Sequence, residues 1–366
     1  MTDQKRNEGI EIMRFIFSIL ILLGHSASSF LGGGEHRFAL GKQGAIGVEF
    51  FFILSGILMA KTCDRNMQAE GQKLTYKELG DETISFLKKK YFSIYPTHII
   101  TFIIMFMEYV CISNISVINA AKVLVYALPE IFLFHMNGLR MENINPNDWY
   151  ISAMLIAMLF LYPLLKKYGT LFSKVLAPII TLVILGYCYL TTGSMTPSDT
   201  TLLGGLAIKG TLRAIAEISL GTIVYEALKY INKISFKKRG IWLLRLIESF
   251  CYLSTIAVSS TDSDAKWYFP FIFVLAAGLL ITFSKYSIFA GLKHSNIILY
   301  LGNLSMTIFV CQRIILYPLQ KLHCFEGYLL NTVVFFIGTI ILSIIMKMII
   351  DKLVENKNFW KNIFIN

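Results

Sequence analysis

The stretch IEIMRFIFSILILLGHSASSF, Ile10–Phe30, indicates the fold class, because it is long and apolar enough to cross a bilayer as one helix. It also carries two ionisable side chains, Arg14 and His25, which are costly to insert into lipid and are therefore candidates for function. Eleven helical residues turn through about 1,100°, which is about 20° past three full turns, and rise about 16 Å. Arg14 and His25 are therefore expected on one face, as parts of a polar track through the membrane.

The rest of the chain has the same apolar character. Hydrophobic residues make up 55% of the 366 residues and charged residues 16%, whereas soluble domains carry about a quarter charged residues. Ten apolar runs are long enough to span a bilayer. They cover residues 10–30, 44–60, 91–112, 148–166, 173–192, 206–228, 241–260, 267–284, 296–318 and 328–350. None alternates as a barrel strand does, so the sequence predicts an all-α polytopic membrane helix bundle of about ten transmembrane helices.

The distribution of basic residues predicts the orientation of this bundle. Most of the 34 lysines and arginines fall between spans on the side of the N-terminus, including Lys88, Lys89 and Lys90 and the group at 229–239. The positive-inside rule then places both termini in the cytoplasm. We expect a multi-pass protein of the inner (plasma) membrane. The net charge of +11 is explained by this topology. No nucleic-acid-binding motif accompanies it, so no nucleic-acid partner is expected.

We expect one domain over residues 1–366, with a cytoplasmic loop at about 61–90 and an extracytoplasmic segment at about 113–147. Residues 115–135 are apolar, but counting them as a span would reverse every later loop. They are therefore predicted to form a re-entrant or interfacial helix broken by Pro129. The six cysteines are scattered without metal-ligand spacing, which argues against a disulfide framework or a zinc site. No metal and no tightly bound cofactor are expected.

His25 and Glu49 are predicted at the same depth near the extracytoplasmic surface. Each lies about five residues from that end of its span, which corresponds to roughly 7–8 Å at 1.5 Å per residue. The short connection between the two spans predicts that their helices are neighbours. Glu49 would then orient His25 as a general base. The alternative is that the pair only cross-links two helices.

Other polar side chains are predicted at this level and would outline an acceptor site for a hydroxylated molecule. They are Asn147, Asp148, Trp149, Gln312 and Arg313. For two of them a structural role is the alternative, because Trp149 suits an interfacial anchor and Asp148 a helix cap.

At the cytoplasmic end, Arg14 and the run Lys88-Lys89-Lys90 are candidates for binding an anionic donor such as a nucleotide phosphate. The alternative is ordinary positive-inside anchoring, which suits the lysines better than an arginine that faces the bundle core.

Two features within the spans are interpreted as structural. Arg213 and Glu217 lie at i, i+4 spacing and are expected to form a structural ion pair, with a channel-lining role as the alternative. His98 is expected to be a packed residue.

Four stretches resemble the acyltransferase-3 family of multipass membrane acyltransferases. They are the R-x10-H element from Arg14 to His25, GVEFFFILSGILMA (Gly47–Ala60), WYISAMLIAMLFLYP (Trp149–Pro163) and RAIAEISLG (Arg213–Gly221). The chain departs from the family pattern at three positions. The family usually has a second basic residue where this chain has Ser93, a carboxylate where it has Met154, and frequently a histidine where it has Gln312.

The resemblance implies transfer of an acyl group, usually acetyl from acetyl-CoA, to a hydroxyl of a surface polysaccharide or lipid-linked glycan. It implies a donor-binding role for Arg14 and catalysis by His25 with support from Glu49. A transporter of a glycan precursor is the alternative, and a scaffold subunit of a polysaccharide synthase is a third. Against the transporter, the two halves of the chain show no internal repeat, and ionisable residues cluster in the first two spans.

Overall fold

The computed structural model describes residues 6–31, 40–70, 74–138, 143–196, 198–261 and 268–355, and within them long helices follow the ten predicted apolar runs. The helices are α1 (Glu8–Phe30), α2 (Ile46–Glu70), α3 (Tyr76–Ser113), α4 (Val117–Tyr126), α5 (Leu128–Ile131), α6 (Trp149–Tyr168), α7 (Ala177–Thr192), α8 (Lys209–Ile231), α9 (Lys238–Ser259), α10 (Tyr268–Phe283), α11 (Asn296–Leu322) and α12 (Tyr328–Glu355). The all-α fold class is therefore confirmed.

Within the described residues, eight helices are long and apolar enough to cross a membrane by length and composition. The other two helices that match predicted spans are α10, which has 16 residues, and α8. Helix α8 carries Lys209, Arg213 and Glu217, and all three are buried. These charges are tolerated because α8 packs against α2, α6, α7 and α10 and so meets protein rather than lipid.

The segment expected as a cytoplasmic loop at 61–90 is instead mostly helical. Helix α2 continues to Glu70, and α3 begins at Tyr76. Helix α3 has 38 residues and is therefore about 57 Å long at 1.5 Å per residue. Thr75 starts α3 with a capping box, in which its side chain accepts from the Glu78 amide and the Glu78 carboxylate accepts from the Thr75 amide. Both helices therefore extend beyond the spans 44–60 and 91–112 that the sequence predicted.

The apolar segment at 115–135 does not form a full span. Helix α4 has ten residues, about 15 Å, and α5 has four, so neither can cross a bilayer alone. Pro129 lies in the first turn of α5, three residues after Tyr126, the last residue of α4. The predicted break at this proline is confirmed.

Two glycines set the close approach of α2 and α8. A Cβ atom on Gly56 would overlap the carbonyl oxygen of Ile218, and one on Gly221 would overlap the carbonyl oxygen of Ile53. Small residues of this kind let membrane helices pack backbone to backbone. The contact fixes the rotation of α2 against α8 and hence the direction in which Glu49 points.

A short hairpin precedes α8. Strands β1 (Thr201–Leu202) and β2 (Ala207–Ile208) pair antiparallel, with Thr201 opposite Ile208. The turn between them uses Gly204 and Gly205 at positive φ, which glycine adopts without strain.

Candidate active site

A cavity of about 270 Å³ lies where α1, α2, α6 and α8 meet, at the predicted extracytoplasmic end of the bundle, and is called the His25 cavity here. Its polar lining residues are His25, Ser28, Lys42, Gln43, Asn147, Trp149, Thr196, Ser198, Arg213 and Tyr268. Ile21, Val48 and Phe309 supply much of its apolar wall. His25 therefore borders a space that can hold a small polar group.

Gln312 on α11, and not Glu49, is the hydrogen-bond partner of His25. The Nδ1 atom of His25 lies 2.9 Å from Oε1 of Gln312, and Nε2 of Gln312 donates to the Phe309 carbonyl at 2.9 Å. Gln312 is fully buried, since α1 packs along α11. The expected pairing of His25 with Glu49 is wrong, because equal depth along two helices does not make their side chains face each other.

Glu49 turns instead toward Arg213. Its Oε1 atom pairs with a terminal nitrogen of the Arg213 guanidinium, and Glu217 lies 3.5 Å from Nε of the same arginine. All three side chains are buried. The expected Arg213–Glu217 pair is thus present, but Glu49 is the closer partner and the arginine joins two helices.

Trp149 holds its place beside this cluster through packing. Its ring meets Phe52 edge-on at a centroid distance of 5.9 Å, and the Arg213 guanidinium carbon lies 5.7 Å from the ring centroid. A Cβ atom on Gly210 would come within 2.9 Å of the indole, so the glycine makes room for it. One part of the indole borders the His25 cavity.

Asp148, expected on the acceptor side, does not line that cavity. It is fully buried, with Oδ2 at 2.6 Å from Nδ1 of His98 and Oδ1 accepting from Asn145 at 3.1 Å. The other ring nitrogen of His98 faces the Ile131 carbonyl at 3.3 Å. Asp148 therefore ties α3 to the start of α6, which is a structural role, and His98 is packed as expected.

Arg313 reaches the site through Asn147. Its Nε atom donates to the Asn147 side-chain oxygen at 3.3 Å, while Nδ2 of Asn147 donates to the Phe309 carbonyl at 3.4 Å. Asn147 itself lines the His25 cavity and Arg313 does not. Arg313 thus supports the wall from behind.

A second cavity, of about 590 Å³, opens at the opposite end of the bundle and is called the basic cavity here. Its basic lining residues are Arg6, Arg14, Lys61, Arg65 and Lys90. Because these cations come from α1, α2 and α3 and the segment before α1, folding concentrates positive charge that is scattered in sequence. Such a pocket favours an anionic ligand.

Glu11 organises two of these cations. Its carboxylate accepts from Nε of Arg6 at 3.0 Å and from a terminal nitrogen of Arg14 at 3.0 Å. Arg6 also donates to Asn303 at 2.7 Å. The pairing leaves both guanidinium groups at the cavity with donors to spare, since each guanidinium carries five N–H groups.

Lys88 and Lys89 do not share this cavity with Arg14 and Lys90. Both are exposed and line an open groove on another face of α3 with Asp81 and Phe92. Consecutive helical residues point about 100° apart, so one lysine of the three turns into the bundle. Of the expected donor-binding residues, the structure brings together Arg14 and Lys90.

The two cavities share no lining residue, and Tyr150 is a buried residue that lines neither of them. Its ring packs on Phe52 at a centroid distance of 4.6 Å and on Phe309 at 5.5 Å. Its hydroxyl is 3.4 Å from Oγ of Ser55. The expected polar track is thus not an open passage in this structure, because the two cavities do not meet.

Comparison with known proteins separates the candidate functions. The family model of an acyltransferase domain matches residues 7–348, which is nearly the whole chain. The chain belongs to the acyltransferase-3 family. No curated protein and no solved structure matches it. The family and the apolar helices together make this protein a multi-pass membrane acyltransferase, which favours the enzyme over the transporter and the scaffold.

Sequence reasoning missed several residues that line or adjoin the two cavities. Arg6, Lys61 and Arg65 were counted only among the basic residues that predict the orientation, because their clustering depends on how α1 packs against α2. Tyr150 was not singled out, although it follows Trp149 directly. A polar side chain next to a predicted site residue in a buried helix was the available signal. Among the described residues, no group of three or more His, Cys, Asp or Glu side chains is placed to hold a metal ion.

Proposed function

We propose that this acyltransferase moves an acyl group, most simply acetyl, from cytoplasmic acyl-CoA to a hydroxyl of an extracytoplasmic or lipid-linked surface glycan in the inner (plasma) membrane. The observation that carries the proposal is the pair of cavities, one basic and one built around a histidine, at opposite ends of one helix, α1. Eleven residues separate Arg14 from His25, which corresponds to about 16 Å along the helix. A donor with a phosphorylated head and a long thioester arm suits that separation.

The basic cavity supports acyl-CoA as the donor class. CoA carries several phosphate oxygens, and guanidinium groups bind phosphate through paired, charge-assisted hydrogen bonds. Arg6 and Arg14 supply such groups, and Lys61, Arg65 and Lys90 add charge without fixed geometry. Acyl-CoA is a substrate in this scheme and not a bound cofactor.

The His25 cavity supports a hydroxylated acceptor. Uncharged polar side chains, including Ser28, Asn147, Thr196 and Ser198, line it together with Trp149. These polar groups can form hydrogen bonds with the hydroxyls of a sugar, and the Trp149 ring offers an apolar surface against which a sugar ring can pack. The basic residues Lys42 and Arg213 at the same cavity also suit an acidic sugar.

The chemistry at His25 is a proton transfer coupled to acyl transfer. The imidazole takes the proton from the acceptor hydroxyl, and the oxygen attacks the thioester carbonyl. The C–S bond of the tetrahedral intermediate then breaks, and the proton on His25 passes to the leaving CoA thiolate. The products are an ester and CoA, so protons and electrons balance without another reactant.

Purified protein tests this proposal. We expect the wild type to release free CoA from acetyl-CoA when surface glycan or lipid-linked glycan is added, and to form a base-labile glycan ester that NMR detects. Comparison with succinyl-CoA under the same conditions identifies the acyl group. His25→Ala should abolish both signals, because no other described side chain takes its place as the base in the cavity.

The matched control is His323→Asn. His323 is an exposed histidine after α11 in the left-handed region, with φ of 46°, which asparagine also adopts. This variant should keep the activity of the wild type. Ester formation that persists in His25→Ala, or that is absent from the wild type with all of these acceptors, would overturn the proposal.

A further inference from the structure

We propose that Gln312 is the positioning residue of His25: its side-chain amide holds the imidazole in the tautomer that carries the proton on Nδ1 and leaves Nε2 free as the base. The inference rests on the proposed function for the catalytic meaning of that tautomer. It assigns to Gln312 a role that acts through His25 and not through contact with the acceptor.

The orientation of the Gln312 amide follows from its second hydrogen bond. The Phe309 carbonyl can only accept, so the group that faces it at 2.9 Å must be the NH₂ of Gln312. The amide oxygen therefore faces His25. This argument fixes the oxygen and nitrogen positions from the hydrogen-bond network.

The tautomer of His25 follows in turn. An amide oxygen can only accept, and it lies 2.9 Å from Nδ1 of His25, so Nδ1 must carry a hydrogen. In a neutral imidazole the other nitrogen, Nε2, then carries the lone pair. A base needs that lone pair, and a histidine with the opposite tautomer would present an N–H in its place.

The surroundings make the contact rigid. Gln312 is fully buried, and Phe309, to which it is anchored, forms part of the wall of the His25 cavity. Ser26, the neighbour of His25 in the chain, shares a hydrogen bond of 2.6 Å with Thr332 that ties α1 to α12. Helix α1, which carries the ring, is therefore bonded to α11 through Gln312 and to α12 through Ser26.

An amide differs from a carboxylate at this position because it carries no charge. Among the described residues, the charged side chains near the ring are Arg313 on α11 and, at the cavity, Lys42 and Arg213, all positive, while Glu49 is turned to Arg213. Helix α12, also packed on α1, presents Thr332 to it. Gln312 thus orients the ring without adding a negative charge that would hold a proton on it.

Two substitutions of Gln312 separate orientation from charge. Gln312→Met keeps the side-chain length but removes the acceptor, so we expect kcat to fall about tenfold or more, about 1.4 kcal/mol, with little change in the KM for acetyl-CoA. Gln312→Glu keeps an oxygen toward His25 but adds a charge and loses the NH₂ that donates to the Phe309 carbonyl. We expect it to keep much of kcat at high pH and to move the acid limb of the pH–rate profile up by about one to three units.

The matched controls are Gln320→Met and Gln320→Glu on the same helix. Gln320 is partly exposed and lies about two turns beyond Gln312. These controls should keep the pH profile and kcat of the wild type. A Gln312→Met enzyme with wild-type kcat, or a Gln312→Glu enzyme with an unshifted profile, would overturn the proposal.

A readout without acyl transfer tests the contact itself. Nitrogen-15 NMR of histidine-labelled protein in lipid, with the His25 signal assigned by its loss in His25→Ala, reports which ring nitrogen is protonated. We expect Nδ1–H in the wild type and a mixture of tautomers in Gln312→Met. An Nε2–H signal in the wild type defeats this inference alone, whereas Nδ1–H together with absent acyl transfer defeats the proposed function alone.

Discussion

Glu49 on α2 and Arg213 on α8 form an ion pair in the interior of the bundle, and Glu217 lies 3.5 Å from Nε of the same guanidinium. Three ionisable groups in one buried cluster are costly to desolvate, and each depends on the others for compensation. The cluster joins the two helices whose glycines Gly56 and Gly221 pack backbone to backbone. The cluster lies beside the His25 cavity, where the Arg213 guanidinium packs over the Trp149 ring.

Removing the arginine from this cluster should destabilise the fold. Arg213→Met leaves two buried carboxylates without a cation, and breaking a buried pair in this way costs about 3–5 kcal/mol. We expect a clearly lower Tm in detergent. The triple variant Arg213→Met, Glu49→Gln, Glu217→Gln should recover most of the loss, because no uncompensated charge remains. An Arg213→Met protein as stable as the wild type would contradict the ion-pair reading of this cluster.

The fold class could be predicted from the sequence because a transmembrane helix needs an apolar run long enough to cross the bilayer. The ten runs, the break at Pro129 and the family motifs all follow from local pattern, and each has its counterpart in the structure. The pattern also located Arg14 and His25 on one helix, and each borders a cavity.

The partners of these residues could not be predicted in the same way. Depth along a helix follows from sequence position, but the rotation of the helix about its axis depends on packing. Glu49 and Gln312 were both expected near the depth of His25, and the contact of Gly56 with α8 turns Glu49 away. A carboxylate seemed the better partner for a histidine, yet an amide occupies that place.

Charge at the basic cavity should control donor binding. Arg14→Gln and Lys90→Gln each remove a cation that faces the cavity, so we expect the Kd for acetyl-CoA to rise about tenfold or more, the size of one lost charge-assisted hydrogen bond. Isothermal titration calorimetry of the protein in detergent measures this Kd. The matched control is Lys88→Gln, because Lys88 lies two residues from Lys90 but lines a different groove. Equal losses in Lys88→Gln and Lys90→Gln would show that the cavity is not the donor site.

The close contact of α2 and α8 should not tolerate even one added carbon. We expect Gly56→Ala to lower the Tm in detergent, because its Cβ would overlap the backbone oxygen of Ile218, which cannot move without shifting α8. Gly186→Ala on α7 is the control, since a Cβ there meets nothing within 4 Å. That variant should be neutral or slightly stabilising, as alanine favours helix. A neutral Gly56→Ala would mean that the two helices are further apart than described.

Tyr150 should separate the two cavities in the resting protein. Its ring fills the space between Phe52 and Phe309, so Tyr150→Ala should open a path from the basic cavity to the His25 cavity, whereas Tyr150→Phe should keep the barrier. A cysteine at Ser28, which lines the His25 cavity, reports the opening in a chain whose exposed Cys111 and Cys324 are replaced by serine.

In sealed vesicles of one orientation, a membrane-impermeant thiol reagent added on the side of the basic cavity should label this cysteine in the Tyr150→Ala background. It should leave the cysteine unlabelled in the Tyr150 and Tyr150→Phe backgrounds, because the larger rings exclude the reagent. Labelling from the opposite side should be fast in all three, since the His25 cavity is open there by the predicted orientation. Equal labelling from the basic side with tyrosine and alanine at position 150 would show that the barrier lies elsewhere along the path to His25.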